Sequence, residues 1–316
     1  MAYEVKMRAD SHREFNAKLI AWRVGARLIA SVALFSLALA FGLVYDSGTF
    51  RSARAQTSAE DLPFAEGKEG TSRTVTINGV EAVFRWLPPG EFTMGSPENE
   101  EYRDDDETQH KVVITKGFWL AETETTQAFW KAVMGQDNNP SFNKGDNLPV
   151  EGVSWNDCQD FIKKLNEKTK DKGLRFRLPS EAHWEYACRA GTTTPFSFGS
   201  ILNGDKANCD GNYPYGTSMT GKYVEKTTPV GSYDPNVWGL KDMHGNVCEW
   251  CSDWYGDYPV GTATDPEGHK GYPIRVIRGG CWIFEAVDCR SANRSWDTPD
   301  TRDDGLGFRL ELSDVD

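Results

Sequence analysis

The sequence predicts an α+β domain low in regular secondary structure, occupying residues 74–312 of a 316-residue chain. Three observations predict it. Thirty Gly and fifteen Pro leave little room for long helices. Only three segments carry a helical apolar period, against several short alternating runs. From Thr192 to Leu310 the chain breaks into short runs between Gly, Pro, Asn and Asp, so turns and Trp packing must hold much of it.

In chain order, Thr74–Leu87 alternates apolar and polar residues around Asn78-Gly79, the pattern of a tight hairpin. Pro88–Pro97 breaks the run and resumes as a short strand. Glu98–Glu107 is an acidic stretch expected to form a solvated loop, and Lys111–Leu120 is a further strand region. Thr125 or Thr126 caps a helix ending at Gly135. Ser154 opens a second, with Asp157 at the capping-box position and Cys158, Phe161, Ile162 and Leu165 spaced along one face. Ser180 caps a third, stopped at Gly191. No repeat and no second linker interrupts the body.

The amino terminus reads differently. Residues 1–27 are basic and expected to stay in the cytoplasm. Residues 28–45 hold the uncharged run Leu28–Val44, a signal anchor or a cleaved signal peptide, and residues 46–73 form a linker. The domain is therefore expected outside the cytoplasm, periplasmic or at the cell surface, with the membrane as a partner of the N-terminal segment. Residues 1–55 carry 8 basic and 4 acidic side chains, so the net charge of −12 leaves −16 on the remainder. Such a body repels phosphates, which excludes nucleic acid as a partner. Seven Cys are present, and an odd count leaves at least one thiol unpaired within the chain. Cys248 and Cys251 form a single Cys-x-x-Cys pair with no second pair or nearby His pair, which speaks against zinc. The Trp residues read as core rather than as a sugar-stacking set.

Six ordered blocks carry a family resemblance: GEFTMGS (Gly90–Ser96), TETTQAFWKAVMG (Thr123–Gly135), PVEGVSWNDC (Pro149–Cys158), RLPSEAHWEYACRAG (Arg177–Gly191), TPVGSYDPNVWGLKDMHGNVCEWCSDWY (Thr228–Tyr255), and RGGCW, CRSANR and GFRL between Arg278 and Leu310. Together they resemble the formylglycine-generating enzyme, or sulfatase-modifying factor, family over Phe84–Leu310. The resemblance implies that family's fold, with a C-type-lectin-like core. It also implies oxygen-dependent oxidation of a sulfatase cysteine to formylglycine by copper held on two cysteines, a soft metal on soft ligands.

The copper pair is not matched. Phe284 stands where its first cysteine belongs, and the segment before Cys289 is shorter by about five residues. Cys281 and Cys289 are the remaining candidates for catalytic thiols, and copper is not expected. The resemblance instead implies a Cys188–Cys289 disulfide. Cys281 is left as a buried apolar residue or a partner for Cys251 or Cys209. By the same carry-over, Asp242 and Glu249 supply carboxylates and Gly245 and Val247 supply carbonyls to a calcium ion, whose taste for hard oxygens suits this turn. Asn208 matches a second calcium site in which Lys222 stands where an acid is needed. Trp282, Phe284 and Trp296 lie in the loop where relatives meet partners. The expected function is a non-oxidising binding or scaffolding domain for a protein or peptide, a sulfatase included. The alternatives are conversion of a sulfatase cysteine, or assistance to an active homologue, and ligand binding by a diversified C-terminal loop.

Overall fold

The computed structural model describes residues 67–268 and 272–313. The N-terminal basic, apolar and most linker residues lie outside them. Strand β1 starts at Ser72, two residues before the expected hairpin.

The hairpin forms as its turn residues require. β1 (Ser72–Ile77) pairs antiparallel with β2 (Val80–Leu87), and both turn residues, Asn78 and Gly79, take positive φ. β3 (Gly90–Met94) pairs with β4 (His110–Ile114), which also takes the two-residue β8 (Ala263–Thr264) in parallel. β5 (Phe118–Ala121) returns to β2. The last strand, β12 (Glu311–Ser313), inserts between β5 and β6 (Arg175–Arg177), giving the order β1-β2-β5-β12-β6. A second sheet has the order β10-β9-β7-β11, built from Ser295–Asp297, Arg275–Arg278, Cys248–Trp254 and Leu306–Gly307.

The three helices form where the periodicity places them. α1 (Gln127–Met134) is capped by Thr126, whose side chain accepts from Phe129 N. α2 (Trp155–Thr169) carries the full capping box of Ser154 and Asp157. Its face Cys158, Phe161, Ile162, Leu165 is buried against the first sheet. There Trp130 stacks on Phe161 at 5.0 Å and Phe308 meets both rings edge-on. α3 (Glu181–Arg189) is buried on every side, and Ala190 rather than Gly191 takes the left-handed C-cap position.

The acidic run forms the largely exposed loop expected of it, except at its end. Glu107 is fully buried, and its carboxylate accepts from Arg290, 183 residues away. Local charge density conceals a partner supplied from the far end of the chain.

Candidate functional site

The closing segment, Arg278–Leu310, is organised by arginines. β9 ends at Arg278, and Gly279 and Gly280 turn the chain with φ of 97° and 70°. A Cβ on Gly280 would lie 2.6 Å from the Cys289 sulfur, so only glycine lets this turn close. Four arginines then point inward. Arg278 donates to Glu185 and to the carbonyls of Ser291 and Ala292. Arg290 grips Glu107 with two bonds of 2.7 and 2.8 Å and reaches Glu100 at 2.7 Å. Arg294 forks onto Glu181 at 2.7 and 2.9 Å, with its guanidinium over Tyr258. Arg309 forks onto Glu249 at 2.7 and 2.8 Å. Burial alone would raise the Glu181 pKa, but the charges of Arg294 and Arg278 override it and hold the carboxyl below its ordinary range. Bidentate pairs of this kind fix geometry, and removing one partner strands the other charge.

All seven cysteines are buried and free. The Cys188–Cys289 bridge expected from the resemblance is not formed. The Cys188 sulfur sits 3.6 Å from Ser291 Oγ and 3.6 Å from the ring of His244. His244 joins the same two regions instead: Ser197 N donates to its Nε2 at 3.1 Å, so Nδ1 carries the proton and donates to the Cys289 carbonyl at 2.8 Å. Burial depresses the His244 pKa to about 4 and pushes the Cys188 thiol up to about 12.

Cys289 faces Cys209, and Cys281 faces Cys248, a partner different from the Cys251 or Cys209 expected for it. The Cys281 sulfur lies against Gly305, whose carbonyl accepts from Cys248 N at 2.7 Å. The bond to Cys281, followed by burial, drives the Cys248 thiol well above the ordinary range. The bond to Cys209, followed by burial, does the same to Cys289. Phe284 is half-buried and packs against the buried cluster that holds Trp130, Phe161 and Phe308.

The residues expected to hold calcium are divided. Both Glu249 oxygens already accept from Arg309, and one also accepts from Trp184 Nε1 at 2.9 Å. Asp242 accepts from Gly231 N through Oδ2, while its Oδ1 is buried without a partner. The sequence reading missed Glu124, which is fully buried with Oε2 unpartnered. Burial, then the neighbouring Asp242 charge, raises the Glu124 pKa well above its ordinary range. Asn208, from the second expected site, lies in the same network. It donates to Asn246, which donates to Glu124, and its own Oδ1 is unpartnered. Among the described residues no three His, Cys, Asp or Glu side chains converge as a metal-ligand group.

Residues 78–313 match the model of the sulfatase-modifying factor enzyme 1-like domain. The chain belongs to this family. It is 31% identical over 282 residues to the formylglycine-generating enzyme of Streptomyces coelicolor, covering 71% of this chain and 87% of that protein. It is also 30% identical to the serine/threonine-protein kinase pkn1 of Chlamydia pneumoniae, of whose length it spans only 36%. Among solved structures, PvdO from Pseudomonas aeruginosa aligns with a TM-score of 0.66 and 30% identity, over 78% of this chain and 99% of that one. Treponema denticola variable protein 1 aligns with a TM-score of 0.64 and 28% identity, over 76% and 98%. The fold is thus that of the formylglycine-generating enzymes.

Within this sulfatase-modifying-factor domain, the expected partner-binding aromatics are not a surface set. Trp282 is buried and donates through Nε1 to the Asp304 carbonyl at 3.1 Å, so it is core. Trp296 is half-buried, with its ring centroid 5.8 Å from that of Tyr255. The exposed apolar side chains include Tyr102 (68% exposed), Tyr213 (57%), Ile201 and Met219 on two loops, besides Phe142, Val237, Val260 and Tyr272. The Tyr213 carbonyl accepts from Ala286 N, and Tyr215 donates to Glu101 O, so hydrogen bonds tie these loops together. Lone exposed aromatics in a one-sequence reading carry no signal of this grouping.

Proposed function

We propose that the chain is a non-oxidising member of its family, a binding or scaffolding domain for a protein or peptide. One observation carries the reading: Cys281 and Cys289 are fully buried, and each lies against a further thiol, Cys248 and Cys209 respectively. Copper chemistry of the family type needs two thiolates that share an ion and meet a substrate. Here a neighbouring thiol and burial oppose ionisation of Cys289 and of Cys248, so their nucleophilic and metal-binding form is disfavoured. The exposed Tyr102, Tyr213, Ile201 and Met219 offer the partner surface, with apolar anchors on a tied loop framework. The N-terminal apolar run supports presentation outside the cytoplasm, anchored by or secreted through residues 28–45. Calcium remains a proposal for Asp242 with the Gly245 and Val247 carbonyls. The engagement of Glu249 with Arg309 weakens its part in that set.

Family membership favours a second reading, in which the domain acts on a sulfatase or assists an active homologue. The two separate on one assay. Full-length protein, loaded with copper and supplied with oxygen, is incubated with a peptide containing Cys-x-Pro-x-Arg, and the peptide mass is followed. The binding reading expects the cysteine to survive unchanged. Accumulation of formylglycine refutes it.

A further inference from the structure

A cavity of about 1050 Å³ lies away from the closing segment, bounded by β6, the end of β12, α2 and the 265–268 turn. Its most unusual wall residue is Arg275. The guanidinium is sandwiched between Trp155 and Trp254, 3.7 and 3.3 Å from the two ring centroids. One nitrogen, Nη1, donates to the Ser252 carbonyl at 2.6 Å. Nε is buried with no acceptor, and Arg275 makes no ion pair among the described residues. Asp253 is its main electrostatic neighbour, and burial, then the charge of Glu181, lifts the Asp253 pKa to about 7. Burial lowers the pKa of Arg275 itself to about 10, as expected of a guanidinium short of counter-charge.

The acids around the cavity are mostly engaged. Asp265 accepts from the Thr115 backbone and hydroxyl at 2.8 and 2.5 Å. Glu311 accepts from Arg177 on one oxygen and from His183 on the other. The remaining acid, Glu267, is exposed. Lys116, Lys163 and Arg175 add exposed positive charge to the same lining, against a chain whose net charge is −12. A purely structural arginine in this fold is paired with a carboxylate, as the four of the closing segment are. Leaving a buried donor without an acceptor is costly, and an incoming anion would offset that cost.

We propose that this cavity binds an oxyanion-bearing ligand, a carboxylate, sulfate or phosphate group, with Arg275 as the anchor held in place by Trp155 and Trp254. The aromatic sandwich orients the planar fork in advance, so little side-chain freedom is lost on binding. The proposal does not depend on whether the closing segment oxidises anything.

The test uses the full chain and tryptophan fluorescence, because two indoles flank the anchor. Inorganic sulfate, inorganic phosphate and acetate are titrated separately at ionic strength held constant with chloride. The expected result is a saturable change with at least one of them, weakened on the order of tenfold or more in Arg275→Met. Arg302→Met, which removes an exposed arginine outside the cavity, leaves the response unchanged. Should Arg275→Met fail to fold, Arg275→Lys, which keeps the charge and loses the fork, is expected to weaken the response. The absence of saturation with all three anions overturns the proposal, as does a response that survives in the folded Arg275 variants.

Discussion

Arginines line two regions of this molecule and are used in opposite ways. In the closing segment, Arg278, Arg290, Arg294 and Arg309 are buried and each meets a carboxylate. In the cavity beside β6, Arg275 is only half-buried, stacked between two Trp rings, with an unpartnered Nε. The difference separates charge that builds the fold from charge left available to a ligand. The segment that identifies the family is therefore mostly framework, and the arginine without a carboxylate partner lies elsewhere.

The contrast can be broken at its strongest point first. Arg309→Met strands Glu249 in the core, and the loss in denaturant unfolding should reach about 3–5 kcal/mol. A loss below about 1 kcal/mol would mean that the pair is not the tie it looks like. Next comes pH. His244 has an ordinary pKa of 6.5 that burial depresses to about 4, so its neutral form contributes stability in full above pH 6.5. That contribution is lost as pH falls towards 4, by roughly 3 kcal/mol. Glu151 and Asp253, both raised to about 7 chiefly by burial, act with the opposite sign: their contribution is full below their ordinary carboxyl values and lost as pH rises through 7. The difference between wild type and His244→Gln isolates the histidine, and a pH-independent difference contradicts its role. The smallest effect belongs to Arg275→Met, which breaks no ion pair. Its stability loss should stay within about 2 kcal/mol, the range of a partly desolvated cation–π contact.

Local features of the fold were legible in the sequence because their causes are local. The Asn78-Gly79 turn, the Ser154–Asp157 capping box and the spacing of Cys158, Phe161, Ile162 and Leu165 each depend on neighbours within a few residues. The insertion of β12 between β5 and β6 depends on pairing across more than a hundred residues and leaves no local trace. The same holds for the site. Glu107 looked solvated because its partner Arg290 is 183 residues distant. Cys289 was matched to Cys188 by family position, yet the turn at Gly280 and the Ala286–Cys289 3-10 helix aim its thiol at Cys209. Trp282 lies in the loop where relatives are expected to meet partners, but its indole finds the Asp304 carbonyl and turns inward. Arg275 carries no motif, so only the geometry of Trp155 and Trp254 around it marks it out.

The central claim is that the closing segment holds no accessible dithiol. Copper(I) titration of the reduced, folded chain against a competing chelator, followed by alkylation and mass spectrometry of the cysteine peptides, tests it most directly. The expected result is no stoichiometric copper retained, with Cys281 and Cys289 unlabelled until the protein is unfolded. One equivalent of copper bound, with Cys281 and Cys289 open to alkylation in its absence and shielded together in its presence, would contradict the account.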